Sequence, residues 1–142
     1  MINQSNSSNI YRNSNRILLV DDEPDITFSF NMILEDNGFA VDSYNDPIYA
    51  LSSFKSGIYA IAILDIRMPG MNGFEFIQKV KEISPAIKVL LMSAFEINSS
   101  ELSAGLGQTK IEGFIQKPIS LHELNNVIQE HIHGLVYKKT KS

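Results

Sequence analysis

The chain has no cysteine, so it can form neither a disulfide nor a thiolate metal site, as suits a reducing cytoplasm. Long apolar runs are also missing. The strongest, IAIL and VLLM, are far too short to cross a bilayer. The opening stretch MINQSNSSNIYRN lacks the apolar core that a secretory signal needs. A cytoplasmic location with no membrane contact is therefore expected. Excess basic charge is absent too: the net charge is −4, which weighs against direct nucleic-acid binding. The basic cluster YKKTKS reads as a short solvated tail over 134–142. Of the histidines His122, His131 and His133, the last two are two apart on a helix, point in different directions and cannot share a metal. All three read as surface residues. No Gly-rich phosphate loop can be assembled, nor any Ser/His/Asp or Cys/His arrangement.

What is present is one ordinary domain. The chain has 142 residues, of which 44% are hydrophobic and 20% charged, enough for a real core. Asn and Ser dominate residues 1–14, which cannot bury enough surface to offset their ordering entropy and read as a flexible lead. From about Asn15 to His133, short apolar runs alternate with helical patterns.

RILLV is the first strand, followed by a helix that Glu23-Pro24 opens and Gly38 ends, with Ile26, Phe30, Ile33 and Leu34 as its core stripe. Phe39 to Tyr44 is the second strand, and Asp46-Pro47 caps a helix reaching about Ser56. YAIAIL, nearly continuous in apolar residues, is a central parallel strand buried on both faces. Asn72 and Glu75 form a capping box for the third helix, which turns Phe74, Ile77 and the Val80 side inward. KVLLM is the fourth strand. A weak helix over Ser99 to Leu106 follows, poor in apolar residues and interrupted by glycine. GFIQ is the fifth strand, and Ser120 with Glu123 caps a last helix with the stripe Leu121, Leu124, Val127, Ile128 and Ile132. Five strands alternating with five helices, joined by right-handed crossovers, give a doubly wound parallel sheet covered on both faces.

The polar residues of interest all follow strands. Asp21 and Asp22 come after the first, Asp65 after the third, Ser93 after the fourth and Lys117 after the fifth. In open α/β sheets ligands bind at the carboxyl ends of the strands, where the order reverses. Three carboxylates beside one lysine at that edge suit a hard dication and a phosphoryl group.

Taken together, DD after strand one, D-x-x-M-P-x-x-x-G after strand three, S-A after strand four and K-P after strand five resemble the receiver domain of two-component response regulators. The resemblance covers about Asn15 to His133. It implies a flavodoxin-like strand order of 2-1-3-4-5. Asp65 matches the phosphoacceptor, which takes a phosphoryl group from a phosphohistidine on a sensor histidine kinase or histidine phosphotransfer protein. Asp21 and Asp22 match the pair that positions Mg²⁺, the second directly and the first mostly through water. Asp22 could serve as the N-cap of the first helix as well. The backbone carbonyl of Arg67 matches a further metal ligand. Lys117 would pair with Asp65 and then with the phosphoryl group. Ser93 matches the hydroxyl that bonds a phosphoryl oxygen, and Ala94 is small enough to let phosphate approach. Phe114 matches the aromatic switch position, or is a plain core residue.

The implied function is a stand-alone phosphorylation switch, not a conventional enzyme beyond assisting its own phosphotransfer and slow autodephosphorylation. It would act on a downstream protein whose identity the sequence does not give. Two other readings compete. An aspartate-nucleophile phosphohydrolase of the dehalogenase type needs D-x-D, but Arg67 stands in the second place. A pseudo-receiver would have lost its site, yet every site residue is here. One stretch departs from the family pattern: AGLGQTKIEGF replaces the usual A-G-A-x-x-[FY] approach to strand five. That leaves open the shape of the face made by the fourth helix, fifth strand and fifth helix, which the family commonly uses for targets and phosphorylation-dependent homodimers.

Overall fold

The structure, a computed structural model, describes residues 15–134. The polar lead and most of the basic tail lie outside the described residues. The strands are β1 (Arg16–Val20), β2 (Ala40–Tyr44), β3 (Ile61–Asp65), β4 (Lys88–Ser93) and β5 (Gly113–Gln116). The helices are α1 (Pro24–Asp36), α2 (Pro47–Ser52), α3 (Gly73–Ile83), α4 (Ser99–Leu106) and α5 (Leu121–His133). All strand pairs are parallel, in the order β2-β1-β3-β4-β5. The order reverses between β1 and β3, as the doubly wound reading requires.

The core falls into two layers, one on each face of the sheet. Every residue of β3 is buried, because neighbouring strands flank it and helices cover both sides. Leu18, Val20, Ala62, Leu64 and Leu91 face Phe76, Ile77 and Val80 of α3. Ile17, Leu19, Ile63, Leu90 and Met92 face Phe30 and Leu34 of α1 and Leu124 and Ile128 of α5. At the far edge, Asp42 accepts from Arg16 Nη1 and from Tyr59 Oη, both at 2.7 Å, which pins β2 to the sheet.

Several local expectations are corrected. The helix expected to reach about Ser56 stops at Ser52, where the chain turns toward the Phe54–Tyr59 stack. The third strand starts at Ile61, after Tyr59. In α1 the buried positions are Thr27, Phe30 and Leu34, while Ile26 and Ile33 are only half-buried. Phe76, not Phe74, is the fully buried aromatic of α3. Phe74 is half-buried against α4, where a Cβ on Gly105 would come within 2.5 Å of its ring. Leu121, the first residue of α5, is 39% exposed rather than part of the core. Glu23, not Asp22, is the N-cap of α1. Asn72 and Glu75 form the complete capping box, as do Asn98 and Glu101 at the head of α4.

Candidate phosphoryl-acceptor site

Strand register assembles the site. Val20 pairs with Leu64, so the next residues, Asp21 and Asp65, stand side by side at the carboxyl edge. Asp65 pairs with Met92 and Ser93 with Gln116. Lys117 therefore follows directly, its N–H bonding the Ser93 carbonyl at 2.8 Å. No loop needs to be long to bring these groups together.

The carboxylates of Asp21, Asp22 and Asp65 lie within 4.8 Å of one another. Asp21 is fully buried. One of its oxygens accepts the Glu23 N–H at 2.9 Å, and the other accepts from Lys117 Nζ at 2.8 Å. Lys117 also lies 3.4 Å from Asp65 and 3.4 Å from Glu23. The expected Lys117–Asp65 pair is present, but the tighter partner is Asp21. Behind Asp21, Asn45 donates to its carbonyl at 2.7 Å and to Thr27 Oγ1 at 3.0 Å.

These contacts set the charges. Burial, then the neighbouring Asp21 charge, pushes the Asp65 carboxyl up to about 6 despite the opposing pull of Lys117. Burial also raises Asp21 above its ordinary value, against the hydrogen bond from Lys117. For Lys117 burial alone would favour the neutral amine, but its bond to Asp21 and the surrounding carboxylates outweigh that and hold it charged.

The loop after β3 is built for close approach. Met68 anchors it in the core. A Cβ on Gly73 would come within 2.5 Å of the Asp65 carbonyl oxygen and 3.0 Å of Ile66 Cα. Only glycine lets α3 start so near the end of β3. On the other side, Ser93 Oγ donates to the Phe95 carbonyl at 2.9 Å and accepts from the Phe95 N–H at 3.0 Å. Its hydroxyl is thus turned into its own loop.

A cleft of about 210 Å³ opens over Asp65, lined by Asp22, Glu23, Arg67, Ala94, Phe95 and Lys117 as well. A more apolar cleft of about 290 Å³ lies beside it, between α1 and the start of α5, where Ile26, Phe30, Pro118 and Ile119 add to the shared Glu23, Ala94 and Lys117. Phe114, on β5, is half-buried against the α3 side of the core and lines neither cleft. The histidines of α5 stand apart: His122 and His133 are exposed and His131 half-buried, with His133 stacked on Phe39 at 5.9 Å. Sequence reasoning missed Glu23, Asn45, Thr27 and the Arg67 side chain. Only Glu23 had a signal, as the third acid in the run DDE.

An open, doubly wound sheet carries an acidic cluster and a buried lysine at the carboxyl ends of its strands. The chain belongs to the response regulator receiver domain family, whose profile matches residues 17–129. It is 34% identical over 110 residues to the transcriptional regulatory protein TctD of Salmonella typhimurium, covering 78% of this chain and 48% of TctD. The chain thus spans about half the length of the first curated relatives that it matches. A CheY-like receiver domain protein from Methanospirillum hungatei superposes with a TM-score of 0.76 at 26% identity, covering 85% of this chain and 95% of that one. The receiver domain of the sensor histidine kinase PA1611 from Pseudomonas aeruginosa, solved with a magnesium ion coordinated in its active-site cleft, superposes at 0.70 with 21% identity, over 84% of this chain and 98% of that one.

Proposed function

We propose that this chain is a Mg²⁺-dependent switch that accepts a phosphoryl group on Asp65 from a phosphohistidine of a sensor kinase or histidine phosphotransfer protein. The supporting observation is the cluster of three carboxylates within 4.8 Å of one another, with Lys117 between two of them. The donor set fits Mg²⁺, a hard cation that takes a few carboxylate or carbonyl oxygens and keeps several waters. Asp22, Asp65 and the Arg67 carbonyl would hold it directly, and Asp21 through water. When bound, it supplies positive charge between the attacking carboxylate and the phosphoryl oxygens.

The chain's own residues do the rest. An Asp65 carboxylate oxygen attacks phosphorus; the new O–P bond forms as the N–P bond of the donor breaks. The donor imidazole keeps the electron pair and takes a proton from solvent. With a pKa of about 6, Asp65 is mostly ionised at neutral pH and remains basic enough to act as a nucleophile. Lys117, charged and buried, compensates the phosphoryl oxygens as a point charge. The apolar cleft beside the site is continuous with it through Glu23, Ala94 and Lys117, which suits it to seat the donor protein.

Signalling follows from Ser93. To bond a phosphoryl oxygen, its hydroxyl must leave the Phe95 carbonyl, drawing the β4–α4 turn and Ala94 inward. Phe114 then moves into the space released. A phenylalanine has no hydroxyl to leave unpaired when buried, so the inward state is populated even before phosphorylation. The surface so changed is read by a downstream protein or a second copy of the chain. Incubation with a small acyl phosphate and Mg²⁺ tests the reading by intact mass. One added phosphoryl group, lost in Asp65→Asn, is expected; labelling unchanged by that substitution overturns it.

A further inference from the structure

The Arg67 side chain has no role in the reading above, which uses only its carbonyl. The residue is exposed, two positions past Asp65, and its guanidinium carbon lies 4.4 Å from the centroid of the Phe95 ring. Phe95 is itself 55% exposed. Arg67 comes from the β3–α3 loop and Phe95 from the β4–α4 turn, and both line the cleft over Asp65. Phe95 therefore holds two donors at once: the Ser93 hydroxyl on its main-chain carbonyl at 2.9 Å, and the Arg67 guanidinium on its ring.

Charge supplies the reason for this arrangement. Lys117 is already shared by Asp21, Glu23 and Asp65. A phosphoryl group on Asp65 would replace its single negative charge with close to two, in a cleft that already contains Asp22 and Glu23. Arg67 is the other cation lining that cleft. An exposed cation–π contact is weak, whereas an Arg–phosphoryl pair is charge-assisted and can be bidentate. The guanidinium should exchange the first for the second.

We propose that Arg67 is a phosphoryl-binding residue kept in reserve on Phe95, and that a phosphoryl group on Asp65 draws it off the ring. This rests on Asp65 being the acceptor. The exchange uncovers the Phe95 ring beside the turn that Ser93 pulls, so the two recruited donors act on one residue. Phe95 thereby changes from a ring with a guanidinium over one face to one free on that face when the site is occupied.

The chain contains no tryptophan, so Phe95→Trp places a single indole under Arg67 and keeps an aromatic partner for it. The probe is Mg²⁺ with beryllofluoride, which mimics the phosphoryl group. Binding should change the indole emission in Phe95→Trp and change it clearly less in the double variant with Arg67→Gln, where the main-chain carbonyl is retained and only the movement driven by Ser93 remains. By calorimetry, Arg67→Gln alone should bind the mimic roughly tenfold more weakly than the parent, with Arg67→Lys in between. Equal affinity of parent and Arg67→Gln, or an indole unmoved at saturation, overturns the proposal and leaves the acceptor reading standing. Failure of the mimic to bind the parent, or equal binding to Asp65→Asn, removes the acceptor reading and this proposal with it.

Discussion

Lys117 holds Asp21 at 2.8 Å, closer than its 3.4 Å approach to Asp65. The buried lysine is thus anchored mainly by a carboxylate other than the proposed acceptor, which leaves Asp65 less compensated and more basic. Asp21→Asn should relieve Asp65 of a neighbouring charge and free Lys117 to pair with it. The Asp65 titration midpoint, followed by carboxyl-carbon NMR, should fall clearly below about 6. An unchanged midpoint would mean that burial alone sets it.

Asp65 also gives the metal-free protein a definite pH dependence. Its folded pKa is raised from 3.8 to about 6, so the folded state binds this proton more tightly than the unfolded state. The associated stability is fully present below about 3.8 and is lost as pH rises through about 6. By pH 7 the loss is on the order of 2–3 kcal/mol. Urea midpoints of parent and Asp65→Asn, compared from acid to neutral pH without metal, should diverge over that window, with the asparagine variant the more stable at pH 7.

Mg²⁺ should raise the melting temperature at neutral pH, since a ligand that binds only the folded state stabilises it, by about 2.7 kcal/mol at a hundredfold excess over Kd. Asp21 is buried and committed to Lys117 and the Glu23 N–H, whereas Asp22 is half-exposed and lines the cleft. Asp22→Ala should therefore reduce Mg²⁺ affinity more than Asp21→Ala does, as measured by calorimetry. Equal losses would contradict this division of roles.

Gly73→Ala puts a methyl group 2.5 Å from the Asp65 carbonyl oxygen, against backbone that cannot swing aside. A cost of about 1–3 kcal/mol is expected, together with slower phosphorylation because the acceptor loop must shift. Chemical denaturation and the rate of labelling by a small acyl phosphate measure the two effects separately.

In hydrogen exchange, α4 should be the first helix to lose protection, because none of its residues is fully buried. Adding Mg²⁺ and beryllofluoride should change exchange mainly between Ser93 and Phe114. Changes confined to the surroundings of Asp21 and Asp65 would show that the site fills without moving the switch.

Much of this molecule was legible in its sequence because strands and chemistry are written together. Continuous apolar runs ending in DD, D, S and K located four strand ends and the functional edge at once, and parallel pairing left little freedom in how they meet. Alternation and helical spacing failed where burial is decided by neighbours further along the chain. Phe74 and Phe76 look alike in the sequence, and only the close approach of Gly105 decides that Phe74 serves the α3–α4 contact. Leu121 belongs to the helical stripe but is exposed at the first turn of α5. Support from Asn45 and the Arg67–Phe95 stack left no signal, because each depends on a contact between separate loops. The departure at AGLGQTKIEGF resolves into a tie: the Glu112 side chain accepts the Val89 N–H at 2.6 Å, and its own N–H bonds the Val89 carbonyl at 2.8 Å.

The lack of any fully buried residue in α4 divides the chain into two regions of unequal tolerance to substitution. Changes in the strands that carry Asp21, Asp65 and Lys117 are screened by folding itself, since each neighbour there is packed. Changes on α4 escape that screen, apart from Gly105 and the few side chains that rest on the core. The outer surface of α4 can therefore be rebuilt at little cost to the packing that holds the acidic cluster in place.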